Sequence, residues 1–421
     1  MRTLNRREFL KLGGAAALSL TGCASTTGAK ARVAVIGGGF AGATAAKYIR
    51  LWDPGIEVLL VEREEVFTSC PMSNLVLGGF RSLADIQRGY DRLGNYGVQV
   101  VRDEALVVDG AKKLIKLARG GDLSYDRLIV APGIDFAYRE LDGYQEAMAA
   151  GRVLHAWKAG PQTVALRKQI EEMRDGGVFV LSVPLAPYRC PPAPYERASL
   201  VAAYLKRAKP RSKVLILDAN QEVTSKGPLF LKAWSDLYPG LIEYRPNSRA
   251  VGVDAKNGVV SLEVEDVKGD VLNVIPPQRA GDIAAKAGLV TTNNRWCDID
   301  WLTMESKAVK HVHVLGDATL AAPAMPKSGS IANNQAKLCA AAVVELINGR
   351  TPDPQPKIIN ACYSFVSPEE AVHLAAVYEW DAGLRTMHQV KAAGGTSSVR
   401  SELEAKNAMA WAQNIWADTL G

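Results

Sequence analysis

The sequence predicts an α/β protein with two doubly wound domains and a smaller C-terminal α+β domain. Two apolar runs, residues 32–36 and 178–183, have the continuous hydrophobicity of buried parallel strands, and a helical pattern follows each of them. With 421 residues, the chain is also too long for one ordinary domain. The predicted divisions are a first domain split between 31–135 and 281–349, an inserted domain at 136–280, and a C-terminal domain at 350–421.

A glycine-rich loop follows the first of these strands and precedes a helical pattern. Gly37 permits a tight turn, Gly39 permits close approach of a pyrophosphate, and Gly42 lets the helix meet the strand. Glu62 ends the next apolar strand, where its carboxylate can accept hydrogen bonds from ribose hydroxyls, and Arg63 beside it is a further candidate contact. This spacing predicts a dinucleotide-binding-type domain but does not choose between NAD and FAD.

A second segment, residues 311–318, indicates FAD. It is a predicted strand that ends in Gly316 and Asp317, and a helical pattern at 329–346 follows it. The arrangement resembles the second FAD fingerprint of flavoproteins with two dinucleotide-binding domains. There the aspartate holds the ribityl chain, and the helix start, with Lys327 close by, stabilises the anionic reduced flavin. On the residues alone, a strand-end turn for Asp317 and a solvated surface position for Lys327 remain open alternatives.

The inserted domain is expected to lack a nicotinamide site. The chain enters it after residues 125–133, whose Ala131 fits the crossover strand of the same superfamily. After the strand 178–183, residues 188–196 (YRCPPAPYE) carry three prolines and Cys190 where a glycine loop would be needed. Proline has no backbone donor and restricts the chain, so a pyrophosphate cannot bind there. The sequence therefore predicts a disulfide-reductase-like FAD fold that receives electrons through a thiol.

The six cysteines contain no CxxC pair and form no Cys/His cluster with metal-ligand spacing, so we expect no metal site and only long-range disulfides. Cys190 precedes a helical pattern whose dipole would stabilise its thiolate. Glu196, in the first turn, either moves protons or complements the helix dipole. By itself, Cys70 is more typical of an inert buried thiol, and we interpret Cys297 and Cys339 as structural.

The first 30 residues predict an export signal. Arg6 and Arg7 precede an apolar run at 12–20 that is too short to cross a membrane. Twin-arginine export carries folded proteins, so the expected location is the bacterial periplasm, where disulfides persist. Residues 20–23 resemble a lipoprotein box, which would acylate Cys23 and tether the protein to a membrane; ordinary signal cleavage is the alternative.

Net charge further restricts the function. The formal charge of +6 is modest, and no basic stripe is interleaved with aromatic residues, which excludes a nucleic-acid partner. A small positive excess would still permit docking to an acidic protein. Beyond the N-terminal segment, no run is apolar for long enough to span a membrane.

Eight segments give the chain a specific resemblance to one family. They occupy residues 35–47, 68–79, 131–134, 155–162, 188–199, 275–281, 326–335 and 360–364. Over essentially its whole length, the chain resembles the flavoprotein subunit of flavocytochrome c sulfide dehydrogenase. The segments around Cys190 and Cys362 carry most of this resemblance.

The resemblance implies several site roles. It implies FAD bound covalently, through its 8α-methyl group, to Cys70. It also implies a redox disulfide between Cys190 and Cys362 over the flavin. In the mechanism that we expect for this pair, Glu196 handles protons. Its partner would be a c-type cytochrome subunit in a heterodimer, which carries the haem c because this chain has no CxxCH. Trp411 matches an aromatic residue of the family, although an ordinary core tryptophan is the favoured interpretation.

The implied function is a periplasmic sulfide:cytochrome c oxidoreductase. It would oxidise hydrogen sulfide to zero-valent sulfur or polysulfide and pass the electrons to the cytochrome. One alternative is a sulfide:quinone oxidoreductase, which predicts membrane-seated C-terminal helices. The other is a periplasmic redox module that maintains the thiols of sulfur carriers without turning over free sulfide.

Overall fold

The computed structural model describes residues 28–421. Arg6, Arg7 and Cys23, on which the predicted export signal and lipid anchor depend, lie outside the described residues. Within 28–421, the chain forms nine α-helices, numbered in order: α1 Phe40–Trp52, α2 Ser73–Leu77, α3 Tyr144–Ala149, α4 Pro161–Glu172, α5 Ala193–Ala208, α6 Gly227–Leu237, α7 Asp282–Lys286, α8 Gly329–Ile347 and α9 Glu402–Leu420.

A five-stranded parallel sheet carries the glycine loop. Its strands, in spatial order, are Val312–Val314, Arg127–Val130, Ala31–Ile36, Ile56–Val61 and Val98–Val101. The central strands are almost wholly apolar because both faces of the sheet are covered. Helices α1 and α8 pack against each other beside this sheet. Two small antiparallel sheets accompany it: Phe67–Thr68 with Gln87–Arg88, and Ala105–Asp109, Leu114–Leu117 and Asp122–Ser124.

A second parallel sheet lies in the middle of the sequence. Its strands, in spatial order, are Ile242–Arg245, Lys213–Asp218, Val178–Val183 and Val271–Val274. Helix α5 packs against this sheet, and an antiparallel sheet of Ala250–Asp254, Val259–Leu262 and Asp266–Lys268 accompanies it. The antiparallel pair Ile134–Phe136 and Gln278–Ala280 lies where the chain passes between the two parallel sheets. Two parallel α/β units confirm the predicted fold class.

The C-terminal part is an antiparallel sheet covered by one helix. Its strands are Lys357–Phe365, Ala371–Asp381 and Thr386–Thr396. Ser401 begins α9 by accepting a hydrogen bond from the Glu404 N–H. The strand Lys357–Phe365 packs against both α8 and α5, so it touches both parallel α/β units. Among the helices of residues 28–421, none combines the length and hydropathy that a membrane span requires.

Candidate active site

The glycine loop has the tight geometry that the sequence predicts. Gly37 has a φ of 98°, and a Cβ atom there would lie 2.4 Å from the Ala131 carbonyl oxygen. At Gly42, a Cβ atom would lie 1.8 Å from the Gly37 carbonyl oxygen, so any side chain would separate helix from loop. Gly39 immediately precedes α1, and no heavy atom lies within 4 Å of its hypothetical Cβ. The loop therefore presents open space at the start of a helix, as anion binding requires.

The acid after the second strand lies against this loop. The Glu62 carboxylate accepts hydrogen bonds from the Gly38 N–H at 2.5 Å and from the Glu64 N–H at 2.8 Å. Arg63 is exposed and forms ion pairs with Glu64 and Glu104. Glu62 is therefore close enough to the loop to contact a dinucleotide, whereas the guanidinium of Arg63 is held by carboxylates.

Asp317 and Lys327 lie together at the start of α8. Lys327 is only 5% exposed, so the alternative of a solvated surface lysine is wrong. Its ammonium donates to the carbonyl oxygens of Asp317 and Thr319 and lies 3.7 Å from the centroid of the Trp296 ring. Burial lowers the pKa of Lys327 to about 8. Burial also raises the pKa of Asp317, although the Arg189 guanidinium, 4.0 Å away, opposes this shift.

Several buried polar atoms near these residues have no partner within residues 28–421: Asp317 Oδ1, Gln278 Nε2, Asn360 Nδ2 and Trp157 Nε1. Gln278 accepts a hydrogen bond from the Arg189 N–H, and Asn360 accepts one from Ser328, the residue that caps α8. Buried polar groups are normally hydrogen-bonded, so this set calls for a polar ligand with both donors and acceptors. A flavin and its ribityl chain have both. The glycine loop and these groups therefore fit FAD.

In the inserted domain, the residues at the positions that would bind a nucleotide form hydrogen bonds within the protein. In a nicotinamide-binding domain, an acid after the second strand contacts the ribose. Here that acid is Asp218, which is fully buried and accepts hydrogen bonds from the hydroxyls of Tyr195 at 2.7 Å and Tyr244 at 3.1 Å. In the proline-rich loop, the Tyr188 hydroxyl donates to the Pro191 carbonyl oxygen. These hydrogen bonds fix the segment that leads into α5.

Cys190 and Cys362 are both free thiols and lie within electrostatic range of each other. Cys190 has a φ of 57°, in the left-handed region, and its N–H donates to the Lys327 carbonyl oxygen at 2.7 Å. Cys362 belongs to the strand Lys357–Phe365. The ammonium of Lys226 lies 3.6 Å from Cys362 Sγ, 3.1 Å from the Cys362 carbonyl oxygen and 2.8 Å from the Ser364 hydroxyl. The thiols thus lie where the three parts of the chain meet.

One prediction about Cys190 is wrong. The sequence predicts a thiolate stabilised by a helix dipole, but the pKa of this thiol lies well above its ordinary value. Burial is the main cause, and the neighbouring Cys362 and Glu196 add to it, while Lys226 and Arg189 oppose it. Helix α5 begins only at Ala193, so Cys190 lies outside its first turn. As a free thiol, Cys190 is held protonated.

Glu196 connects three elements around the thiols. Its carboxylate accepts hydrogen bonds from the Asn74 side chain on α2 at 2.7 Å and from the Phe365 N–H at 2.8 Å. Burial raises the pKa of Glu196, whereas these two donors and the cations Lys226 and Arg197 lower it. A mere complement to the helix dipole would not need these partners. The position suits a group that exchanges protons with the thiols.

Cys70 lies beside the segment 155–157. Its Sγ is 3.8 Å from the Trp157 carbonyl oxygen, which also accepts a hydrogen bond from Arg189. The fully buried Arg197 donates to the carbonyl oxygens of His155 and Ala156 and to the side chains of Asn74 and Asn273. The segment 155–157 is therefore fixed between Cys70 and α5.

Sequence reasoning missed four side chains of this site: Arg189, Arg197, Lys226 and Asn74. Arg189 and Arg197 belong to the diagnostic segment 188–199, and an arginine amid the apolar residues of α5 was an available signal. Asn74 belongs to another of the resembling segments, 68–79. Lys226 offered no such signal, because its partner lies far away in sequence.

The remaining predicted residues have simpler surroundings. Cys297 and Cys339 are fully buried, as expected for structural thiols. Trp411 is half-buried, and its ring centroid lies 6.2 Å from that of Tyr363, which follows Cys362. Within residues 28–421, no group of three or more His, Cys, Asp or Glu side chains is placed to hold a metal ion.

The fold and the site define a flavoprotein of the disulfide-reductase class, and a model of the pyridine nucleotide-disulphide oxidoreductase family matches residues 31–163. Two family models of narrower scope also match. The model of the central part of the sulfide dehydrogenase [flavocytochrome c] flavoprotein chain matches residues 163–276. The model of the flavin-binding part of flavocytochrome c sulphide dehydrogenase matches residues 354–420. The sulfide dehydrogenase flavoprotein chain of Chlorobaculum thiosulfatiphilum is 58% identical over 45 residues, which cover 11% of this chain and 94% of that sequence. The chain belongs to the family of flavocytochrome c sulfide dehydrogenase flavoprotein chains.

Two more distant matches are sulfide:quinone oxidoreductases. The mitochondrial sulfide:quinone oxidoreductase of Mus musculus is 27% identical over 328 residues, covering 74% of this chain and 71% of the relative. The structure of the sulfide:quinone oxidoreductase from Aquifex aeolicus has a TM-score of 0.77 at 17% identity, and the match covers 92% of this chain and 91% of that one. A putidaredoxin reductase in complex with putidaredoxin gives a TM-score of 0.66 at 17% identity, covering 92% and 93%. At such identities, the structural matches show the fold alone.

Proposed function

We propose that this chain is the flavoprotein subunit of a periplasmic sulfide dehydrogenase. It oxidises hydrogen sulfide to zero-valent sulfur or polysulfide through a Cys190–Cys362 redox disulfide and FAD, and it passes electrons to a c-type cytochrome subunit. One observation carries the proposal: two cysteines 172 positions apart in sequence meet beside a glutamate and a lysine, next to the groups that fit a flavin. Membership of the family supports the substrate and the acceptor.

Named residues would hold the cofactor. The loop glycines Gly37 and Gly39 would receive the pyrophosphate, Glu62 the adenosine ribose, and Asp317 the ribityl chain. The start of α8 and the buried ammonium of Lys327 would place positive charge near the flavin. We propose Cys70 as the covalent attachment point, since it lies beside the segment that Arg189 and Arg197 fix. When bound, FAD supplies the acceptor for an electron pair and releases electrons singly.

The thiols would perform the sulfur chemistry. Hydrosulfide attacks one sulfur of the disulfide: a new S–S bond forms, the Cys190–Cys362 bond breaks, and the displaced cysteine keeps the electron pair as a thiolate. Over one turnover, HS⁻ becomes zero-valent sulfur, one proton and two electrons. Glu196 is positioned to take up the proton, since its carboxylate lies beside the pair.

The proposal is tested by replacing each cysteine separately. Cys190→Ser and Cys362→Ser should each abolish sulfide-driven bleaching of the flavin in anaerobic stopped-flow experiments, while bound flavin is retained. Cys339→Ala is the matched control, since Cys339 is a buried thiol of α8 outside the site. A Cys190→Ser or Cys362→Ser variant that kept the full rate of bleaching would contradict the proposal.

A sulfide:quinone oxidoreductase is the second candidate, favoured by the mouse relative and by the fold of the Aquifex enzyme. The two candidates share the thiol chemistry and differ in the electron acceptor. Steady-state turnover of sulfide with cytochrome c, compared with a short-chain quinone, separates them. We expect turnover with cytochrome c; turnover with the quinone alone would select the second candidate, and turnover with neither would favour the redox-module alternative.

A further inference from the structure

Lys226 is a buried cation at the thiol site. It is 6% exposed and lies directly before α6 with a φ of 57°. None of the ion pairs found within residues 28–421 includes it. Its ammonium instead faces Cys362, through both the carbonyl oxygen and Sγ, and the hydroxyl of Ser364. Buried charges are normally paired. The Glu196 carboxylate lies within electrostatic range of this ammonium, and Cys362 Sγ is an atom in contact with it that can also carry negative charge.

We propose that Lys226 is a catalytic residue that stabilises the Cys362 thiolate formed when the disulfide opens. The inference rests on the proposed function. In the step concerned, the sulfur of HS⁻ bonds to Cys190 Sγ, the bond from Cys190 Sγ to Cys362 Sγ breaks, and the bonding electron pair stays on Cys362. The proton stays on the new persulfide, and no electron leaves the pair of cysteines in this step.

The two sulfurs differ in the charged groups nearest to them. Burial and the neighbouring Glu196 carboxylate disfavour negative charge on Cys190, so the pKa of Cys190 is raised. Cys362 has the Lys226 ammonium at 3.6 Å. In thiol–disulfide exchange, the sulfur whose thiolate is more stable leaves faster. The pair should therefore open with the charge on Cys362.

The other charged groups near the pair are few. Arg189 faces Cys190, where it partly offsets burial. On the neighbouring strand, His373 pairs in register with Tyr363, and its Nδ1 lies 2.7 Å from a carboxylate oxygen of Glu404. Because successive residues of a strand point to opposite faces, the side chain of Tyr363 and that of Cys362 lie on opposite sides of the sheet. Lys226 is thus the cation in direct contact with Cys362 Sγ.

The test follows the ionisation of Cys362 in a Cys190→Ser background. The alkylation rate of Cys362 by iodoacetamide is measured against pH, and the modified peptide is quantified by mass spectrometry. We expect Lys226→Met to raise the midpoint by about one to two pH units, which is about a 10- to 100-fold loss of thiolate at neutral pH. Lys226→Arg should restore a midpoint near that of the lysine. Lys232→Met, an exposed lysine of α6 paired with Asp236, is the matched control and should change nothing.

An unchanged midpoint in Lys226→Met would overturn the inference. If that variant does not fold, the Cys190→Ser protein alone decides: a Cys362 midpoint at or above the ordinary cysteine value of about 8.5 would equally overturn it. Either failure leaves the proposed function standing, provided that sulfide still bleaches the flavin of the unmodified protein. Failure of sulfide to bleach that flavin would remove the proposed function itself.

Discussion

Buried charged side chains lie near the thiols, and they form hydrogen bonds with other protein groups. Arg197 is 1% exposed, and burial lowers its pKa to about 9, so it stays charged at neutral pH. Its hydrogen bonds to the carbonyl oxygens of His155 and Ala156 and to two asparagines, Asn74 and Asn273, offset the loss of hydration. Such networks are costly to interrupt, because removal of one member leaves the others buried without partners.

Arg197→Met should therefore lower the free energy of unfolding by about 3–5 kcal/mol, since several buried acceptors lose their donor. Chemical denaturation measures this change. The matched control is Arg207→Met on the same helix, where the side chain is exposed and the expected change is within about 0.5 kcal/mol. Equal effects of the two substitutions would contradict the structural role given to Arg197.

The raised pKa of Glu196 predicts how the rate of flavin reduction depends on pH. Burial raises the pKa of Glu196, so its carboxylate becomes protonated at a higher pH than that of an ordinary glutamate. Once protonated, it can no longer accept a proton. The rate of sulfide-driven flavin reduction should fall as the pH falls through this raised pKa. Glu196→Gln should lower the rate about 100-fold and remove this limb of the pH profile.

Stopped-flow measurements across pH separate this limb from the ionisation of sulfide itself, which Glu196→Gln should leave in place. Asn74 and the Phe365 N–H donate to different oxygens of the Glu196 carboxylate, and a glutamine has only one acceptor oxygen, so a modest loss of stability should accompany the kinetic effect. An unchanged rate and profile would exclude Glu196 from proton transfer.

At the scale of elements, the loop before α1 determines whether a dinucleotide can bind. Gly42 and Gly39 lie three residues apart, but their surroundings differ: a side chain at Gly42 collides with backbone, and one at Gly39 enters open space. Gly42 is thus required by the fold, and Gly39 by the ligand. This difference separates folding from cofactor binding experimentally.

Gly42→Ala should lower the free energy of unfolding by about 1–3 kcal/mol, because the helix must move away from the loop. Gly39→Ala should leave unfolding of the cofactor-free protein nearly unchanged and reduce the bound flavin. Denaturation curves and the flavin-to-protein absorbance ratio provide the two measurements. A Gly39→Ala variant with full flavin content would contradict the position given to the pyrophosphate.

The elements show what the sequence could predict and why. The strand predicted at 178–183 is observed as Val178–Val183, since a buried parallel strand has no polar face to interrupt its apolar run. Helix α1 begins at Phe40 and includes Gly42, although glycine disfavours helices. The apolar residues of 258–264 form a strand only at Val259–Leu262, and Val264 is 93% exposed.

The candidate site was predictable only in part. Cys190, Glu196 and Cys362 stand out in their segments, and the glycine loop has a local pattern with a physical reason. Lys226 could not be found from local sequence, because its partner lies 136 positions further along the chain. The pKa of Cys190 also required the fold, since a local helix pattern cannot show how deeply a thiol is buried.

At the scale of the whole molecule, three parts of the chain build one site. The glycine-loop unit contributes Lys327 and Asn74, and the C-terminal sheet contributes Cys362. The middle unit has the topology of a nucleotide-binding domain, yet it supplies Cys190, Glu196 and Lys226 to this site. A fold that elsewhere receives electrons from a nicotinamide nucleotide is thereby suited to receive them from a thiol pair.

The most direct test of this account is an anaerobic titration of the purified flavoprotein with sulfide, followed by the visible absorbance of the flavin, with NADH as the parallel titrant. The account predicts that sulfide bleaches the flavin and that NADH does not, because the middle unit has prolines and an internally bonded Asp218 where a nucleotide would bind. Bleaching by NADH alone would contradict it.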